Sequence, residues 1–199
     1  LERTSNNAAA LGAVMTAGAV GAVAGGIGMS IWGGFKRRVH GVLGGWIITG
    51  VGFAMFGLGQ ALPVWIITSV LASLVGPLIN ASNQSIWMAK VAPDVQGRVF
   101  SARRLIAWST QPISPIIAGT LADFVLEPAM AGSGALPTIF GPLVGTTSGS
   151  GMSLLIFFCG IGAAAVGAIG YYVRSIRNAE DILPDHDRLE RVEIAPAAS

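Results

Sequence analysis

Asn80, Asn83, Gln84, Trp87, Trp108 and Gln111 are the side chains of this sequence best placed to recognise a partner inside apolar surroundings. The first four, with Ser73 and Pro77, recur close to i, i+3, i+4 and i+7, the spacing that puts residues on one stripe of a helix. Trp108 and Gln111 stand beside Pro112, Ser114 and Pro115. Prolines at 112 and 115 lack the N–H groups that would meet the carbonyls of Trp108 and Gln111, so backbone acceptors are expected to be free there. An amide in an apolar medium needs a partner. It marks either a helix–helix hydrogen bond or a wet cavity.

Residues for bond-breaking chemistry are missing from these stretches. No Asp, Glu, Lys or Arg lies in the middle of any apolar run, so the chain carries no proton relay of its own. It has no phosphate-binding glycine loop, no zinc-ligand spacing and no nucleophile–base arrangement. Gly26 and Gly28 lie in an apolar run with no strand before them, unlike a dinucleotide fingerprint. Asp185, His186 and Asp187 could ligate a metal, but they fall in a charged tail and read as solvated. His40 borders a basic loop and reads as interfacial; the lone Cys159 reads as a buried small hydrophobe. The chain is therefore expected not to be an enzyme and to hold neither cofactor nor metal.

The elements that position the amides follow from charge and hydropathy. Apolar residues make up 52% of the 199, charged residues 11%, and the mean hydropathy is +0.66. A soluble domain carries about 25% charge. The pI of 9.1 invites a nucleic-acid reading, but the net charge is only +2, and no basic face with interleaved aromatics exists. Charge-free runs of 18 or more apolar residues indicate membrane-spanning helices. Residues 39–89 are too long for one crossing: 51 residues at ~1.5 Å rise give roughly 77 Å, against a core of ~30 Å. A reversal at Gly59–Pro63 splits them. The expected all-α bundle thus has five spans, at 8–32, 41–58, 63–89, 105–122 and 151–173.

Eleven of the twelve Lys and Arg residues then share one side, which the positive-inside rule makes cytoplasmic. Lys36, Arg37, Arg38, Arg98, Arg103 and Arg104 fix that topology, with the N-terminus outside. Residues 128–150 read as an outer loop, either interfacial or a lid, and 174–199 as a largely disordered cytoplasmic tail. Small residues four apart, Gly18 with Ala22, Gly21 with Gly25 and Gly41 with Gly45, offer smooth faces for close helix packing. Asn83 is seven residues from Lys90, and Gln111 seven from Arg104, so both lie roughly 10 Å inside the same boundary. That matched depth suggests either a mutual hydrogen bond or one shared polar site.

Two loops carry a family resemblance. Gly28–Arg38, reading Gly-Met-Ser-Ile-Trp-Gly-Gly-Phe-Lys-Arg-Arg, resembles the glycine-rich basic loop between helices eight and nine of the major facilitator superfamily. Val91–Ser101 resembles that superfamily's loop between helices ten and eleven. Gly119–Asp123 and Glu180–Asp187 are similar to its drug-exporter branch, which includes macrolide-efflux permeases. Where the superfamily has an Asp before the basic pair, this chain has Trp32 or Gly33. The resemblance covers essentially the whole chain. It implies helices eight to twelve of a twelve-helix proton-coupled exporter of hydrophobic or amphipathic small molecules in the plasma (inner) membrane. The partners would be the lipid bilayer, the N-terminal half and the substrate, without nucleic acid. The third span would line the central cavity. The residues alone leave two rivals open, a five-span scaffold or partner subunit and a metabolite importer. Cysteines introduced at positions 37 and 100 are expected to react only with a cytoplasmic thiol reagent. Reaction from outside at either position breaks the five-span arrangement.

Overall fold

A computed structural model describes residues 7–132, 134–182 and 186, and within them the chain is an all-α bundle. Five helical stretches are long and apolar enough to cross a membrane, so this is a multi-pass membrane protein. Helix α1 is Ala8–Trp32. The Asn7 side chain starts it by accepting from the N–H groups of Ala9 and Ala10 at 3.0 and 3.3 Å. Gly33, at φ +76°, ends it in the left-handed conformation that glycine adopts without strain. Helix α2 is Arg38–Leu58. The third span breaks at Val75 into α3 (Leu62–Leu74) and α4 (Gly76–Lys90), with Pro77 in the first turn of α4.

The fourth span runs from Gln96 to Ala131 as α5 (Gln96–Ser109), α6 (Ile113–Leu121), a π-helical turn (Ala122–Leu126) and α7 (Glu127–Ala131). A short apolar helix, α8 (Ala135–Val144), follows it. Helix α9 (Ser150–Tyr172) is the fifth span, and α10 (Arg174–Arg177) and α11 (Ala179–Ile182) close the described chain.

Glycine decides which helices touch. On α2 and α9 the backbones meet directly: a Cβ at Gly50 would lie 2.6 Å from the Gly160 carbonyl oxygen, and one at Gly160 would lie 2.7 Å from that of Gly50. Gly57 opposes Ser153 and Phe157, while Gly167 opposes Leu43 and Ile47, so the two helices run antiparallel. Gly21 and Gly25 of α1 lie against the backbone of α3 at Val70 and Leu74, and Gly18 against Ser69 and Ser73; these helices run parallel. The Ser69 hydroxyl donates to the Val14 carbonyl at 3.0 Å, adding a polar tie to that pair. Gly41 receives Ser82 of α4, and Gly45 receives Val75 and Ile79. In hydrocarbon this close packing supplies the attraction that water-driven burial supplies elsewhere.

Three parts of the architecture depart from the sequence reading. The fourth span is longer than 105–122, because nothing between Gln96 and Leu105 stops a helix. Arg98, Arg103 and Arg104 therefore lie on the helix rather than in a gap. From Arg104 to Asp123 is 19 residues, roughly 28 Å of helix, which matches the hydrocarbon core. Residues 128–150 are not one loop. Pro128 stands in the first turn of α7, where a missing N–H costs little, and α8 buries Val144 against Met130 and Leu154. Residues 174–182 are helical rather than disordered, held by contacts described below. Apart from His186, the rest of the tail, with Asp185 and Asp187, lies outside the described residues, as do residues 1–6.

Replacing Gly160 by valine is expected to destabilise the bundle by about 1–3 kcal/mol through overpacking. Gly162, with nothing within 4 Å of its Cβ position, should accept valine at little cost. Unfolding of the two variants in detergent micelles compares them directly.

Candidate functional site: an uncovered amide face

Helix α4 has two unlike sides. One carries Val75, Ile79 and the buried Ser82 onto the glycines of α2. The other turns Asn80, Gln84 and Trp87 outward, all exposed, with Asn83 half-buried at its edge. The break at Val75 sets this geometry. Pro77 offers no N–H to the Ser73 carbonyl, and the Val75 N–H takes that acceptor instead. Asn80 then donates its amide to the Gly76 carbonyl at 3.0 Å, back within its own helix. Among the described residues the side-chain amides of Asn83 and Gln84 form no hydrogen bond.

The fourth span flanks this face without packing along it. Leu105, Ile106, Trp108, Ile113, Ile116 and Ile117 are all exposed, Leu105 at 73%. Contact with α4 comes near the basic end, where the Arg103 guanidinium lies over the Trp87 ring at 5.1 Å. Arg104 lies over Trp108, one turn away on the same helix, at 4.4 Å. Each guanidinium is drawn to the negative face of its indole. The Gln96 amide donates to the carbonyls of Met88 and Val91 at 3.3 and 2.9 Å, tying the start of α5 to the end of α4.

Two expectations about this region change. Asn83 and Gln111 form no mutual hydrogen bond, because α5 and α6 diverge from α4 beyond Arg103. The Trp108 carbonyl is not free either. The Gln111 N–H donates to it at 3.1 Å in a tight turn, and the Thr110 carbonyl accepts from both the N–H and the hydroxyl of Ser114. Cys159 is exposed on α9 rather than buried. The His40 ring stacks on Tyr171 with centroids 5.6 Å apart, and the Tyr171 hydroxyl donates to the His40 carbonyl. Among the described residues no three His, Cys, Asp or Glu side chains gather to hold a metal.

No family model, curated protein or solved structure matches the chain.

Sequence reasoning missed two carboxylates that organise the bundle's ends. Glu180 of α11 accepts from the Arg38 N–H at 2.9 Å, capping the first turn of α2. Its own carbonyl accepts from the Lys90 ammonium at 3.0 Å, and Arg38 donates to the Ser85 carbonyl at 3.0 Å. Helix α2, helix α4 and the tail are thereby joined at the basic end. At the opposite end Glu127 accepts from the N–H groups of Gly149 and Gly151, both at 2.7 Å, and so caps α9. Both helices start behind a residue that cannot cap them with its own side chain, Arg37 and Gly149. That shortfall was the available signal. Replacing Glu180 by alanine is expected to cost about 1–2 kcal/mol of stability, since it removes a charge-assisted cap. Thermal unfolding in detergent checks this, and Glu180→Gln, which keeps an acceptor, should lose less.

Proposed function

We propose that this bundle forms helices eight to twelve of a secondary transporter of the major facilitator type. The transporter exports hydrophobic or amphipathic small molecules by proton-coupled alternating access, and these helices work with an N-terminal half in the plasma (inner) membrane. The observation that carries the reading is the uncovered amide face of α4. Asn80 and Gln84 lie within a membrane span yet are exposed, with Asn83 half-buried at the edge of their face. Polar groups left against lipid tails cost several kcal/mol, so such a face meets water, a ligand or another polar surface. A break at mid-span, here at Val75, is the feature transporters use to line a central site.

The two loop resemblances supply the family. They also supply the orientation, in which the basic end carrying residues 36–38, 90–104 and 174–177 faces the cytoplasm. In this reading Trp87 and Trp108 offer ring faces to an apolar substrate. Arg103 and Arg104 hold those rings at the cytoplasmic mouth. The ionisable groups that carry the proton belong to the partner half.

Export of a fluorescent amphipathic dye from cells expressing the full-length gene tests the reading. Dye accumulation should fall when the gene is present; equal accumulation with and without it rejects transport and favours a scaffold. Asn83→Leu and Gln84→Leu should each slow export by roughly tenfold, the equivalent of ~1.4 kcal/mol, while membrane levels hold. Unchanged export at normal levels removes these residues from the path.

A further inference from the structure

Charge beside the amide face has one sign. Between Gly76 and Leu121 the charged residues are Lys90, Asp94, Arg98, Arg103 and Arg104. Asp94 is exposed in the turn between α4 and α5, past the end of the helix that carries Asn80, Asn83 and Gln84. Lys90 is engaged by the Glu180 carbonyl. Arg103 and Arg104 differ: among the described residues each guanidinium meets an indole ring and no carboxylate. Arg103 is half-buried, and Trp87 beneath it stands one turn of α4 from Asn83 and Gln84, about 5 Å along the axis. A positive-inside topology asks only for cations near the boundary. It does not ask a guanidinium to lie over an indole at the edge of an amide stripe.

The chemistry of these groups favours one kind of ligand. A guanidinium offers donors and no acceptor. The Asn83 and Gln84 amides offer donors and a carbonyl, all unused among the described residues. Such amides suit a head group of any charge, so the cations decide the sign. A cation half out of water without a counter-charge is costly, and an anion beside it relieves that cost. The planar fork of Arg also matches a carboxylate or sulfonate, in hydrogen bonds about twice as strong as neutral ones. A cationic ligand meets the reverse. It is repelled by like charge, and the indole faces that would attract it lie under Arg103 and Arg104. Both rings still offer apolar area, with Trp87 at 37% and Trp108 at 60% exposure.

Given the reading of the α4 face as a substrate path, we propose that its cargo is an amphipathic organic anion. The Arg103 guanidinium, with the Asn83 and Gln84 amides, holds a carboxylate or sulfonate head. Trp87 and Trp108 lie against the apolar body, and Arg104 adds to the positive potential at the same end. Arg103 is the specificity-determining residue, because its charge stands over the ring nearest the amides.

Calorimetric titration of the full-length protein in phosphatidylcholine nanodiscs tests this, with empty discs subtracted. The probes share one body and differ in the head: 2-naphthalenesulfonate and 2-naphthylmethylammonium. The sulfonate should bind at least about tenfold more tightly, the worth of one charge-assisted hydrogen bond. Arg103→Gln should erase most of that preference, and Arg103→Lys, which keeps the charge, should retain more of it. Equal binding of the probes, tighter binding of the ammonium, or no binding of the sulfonate overturns the anion. A preference unchanged in Arg103→Gln overturns the role of Arg103. If Arg103→Gln fails to insert, the native chain still decides the sign of the cargo. Arg103→Met, which keeps an unbranched chain over Trp87, then decides the residue. Loss of sulfonate binding in phosphatidylglycerol discs gives the site to lipid and overturns the cargo. Dye export is a separate readout. A sulfonate preference without export of any dye keeps the anion site and removes the transport reading; export of cationic dyes alone does the reverse.

Discussion

The contact between Gly50 and Gly160 fixes how close α2 and α9 can come, and the other helices are arranged around that pair. Each glycine presents bare backbone to the other's carbonyl, at a separation that any side chain would prevent. In lipid this matters more than in water. Leaving a helix exposed to acyl chains costs no hydrophobic energy, so helices associate where their atoms fit closely. The remaining faces of α2 follow from it. With α9 on one side, Gly41 and Gly45 present another face to α4, and Gly52 receives Ala72 of α3. Helix α1 then rests on α3 by the same device.

The antiparallel pair is closed at both ends by acids from elsewhere in the chain. Glu180 reaches the N-terminus of α2, and Glu127 reaches that of α9. A helix N-terminus carries unmet N–H groups and a partial positive charge, and a carboxylate answers both. Because the helices run in opposite directions, the two caps fall at opposite ends of the bundle. The same acids recruit the peripheral parts, α11 through Glu180 and the end of the fourth span through Glu127. Glycine spacing and capping together therefore account for most of the tertiary arrangement. Little of it rests on a large buried apolar core, for that core is a small cluster around Met130, Val144 and Leu154 at one end.

What could be read from the sequence was what depends on local pattern. Charge-free runs gave five spans, and the amide spacing put Asn80, Gln84 and Trp87 on one side of α4; the break at Val75, beside Pro77, was not foreseen. Depth was a weaker guide. Counting from Lys90 and Arg104 set Asn83 and Gln111 level with each other, but height along a helix does not say which way the helix leans. The fourth span diverges, so the pair never meets. Residues 128–150 looked like a loop because Pro, Gly and Ser dominate there, whereas α8 is stabilised by Leu154, a residue of the next span. Glu127 and Glu180 were ordinary acids in a one-dimensional reading. Their partners lie 22 residues away at Gly149 and 142 residues away at Arg38, separations that no periodicity records.

The distance along the chain between the two halves of the central contact also has a consequence for biosynthesis. Gly50 and Gly160 are 110 residues apart. At a synthesis rate of ~5–20 residues per second, α2 waits roughly 6–22 s in the bilayer before α9 leaves the ribosome. During that interval α3 and α4 are already available, and Gly52, Gly41 and Gly45 can seat them. The bare strip at Gly50 and Gly57 stays open to lipid, or to any other small-residue helix within reach. The assembly of this bundle is therefore ordered by the timetable of translation. Its most extensive helix pair is among the last to form, and the window before it closes is when a wrong neighbour could take the place of α9.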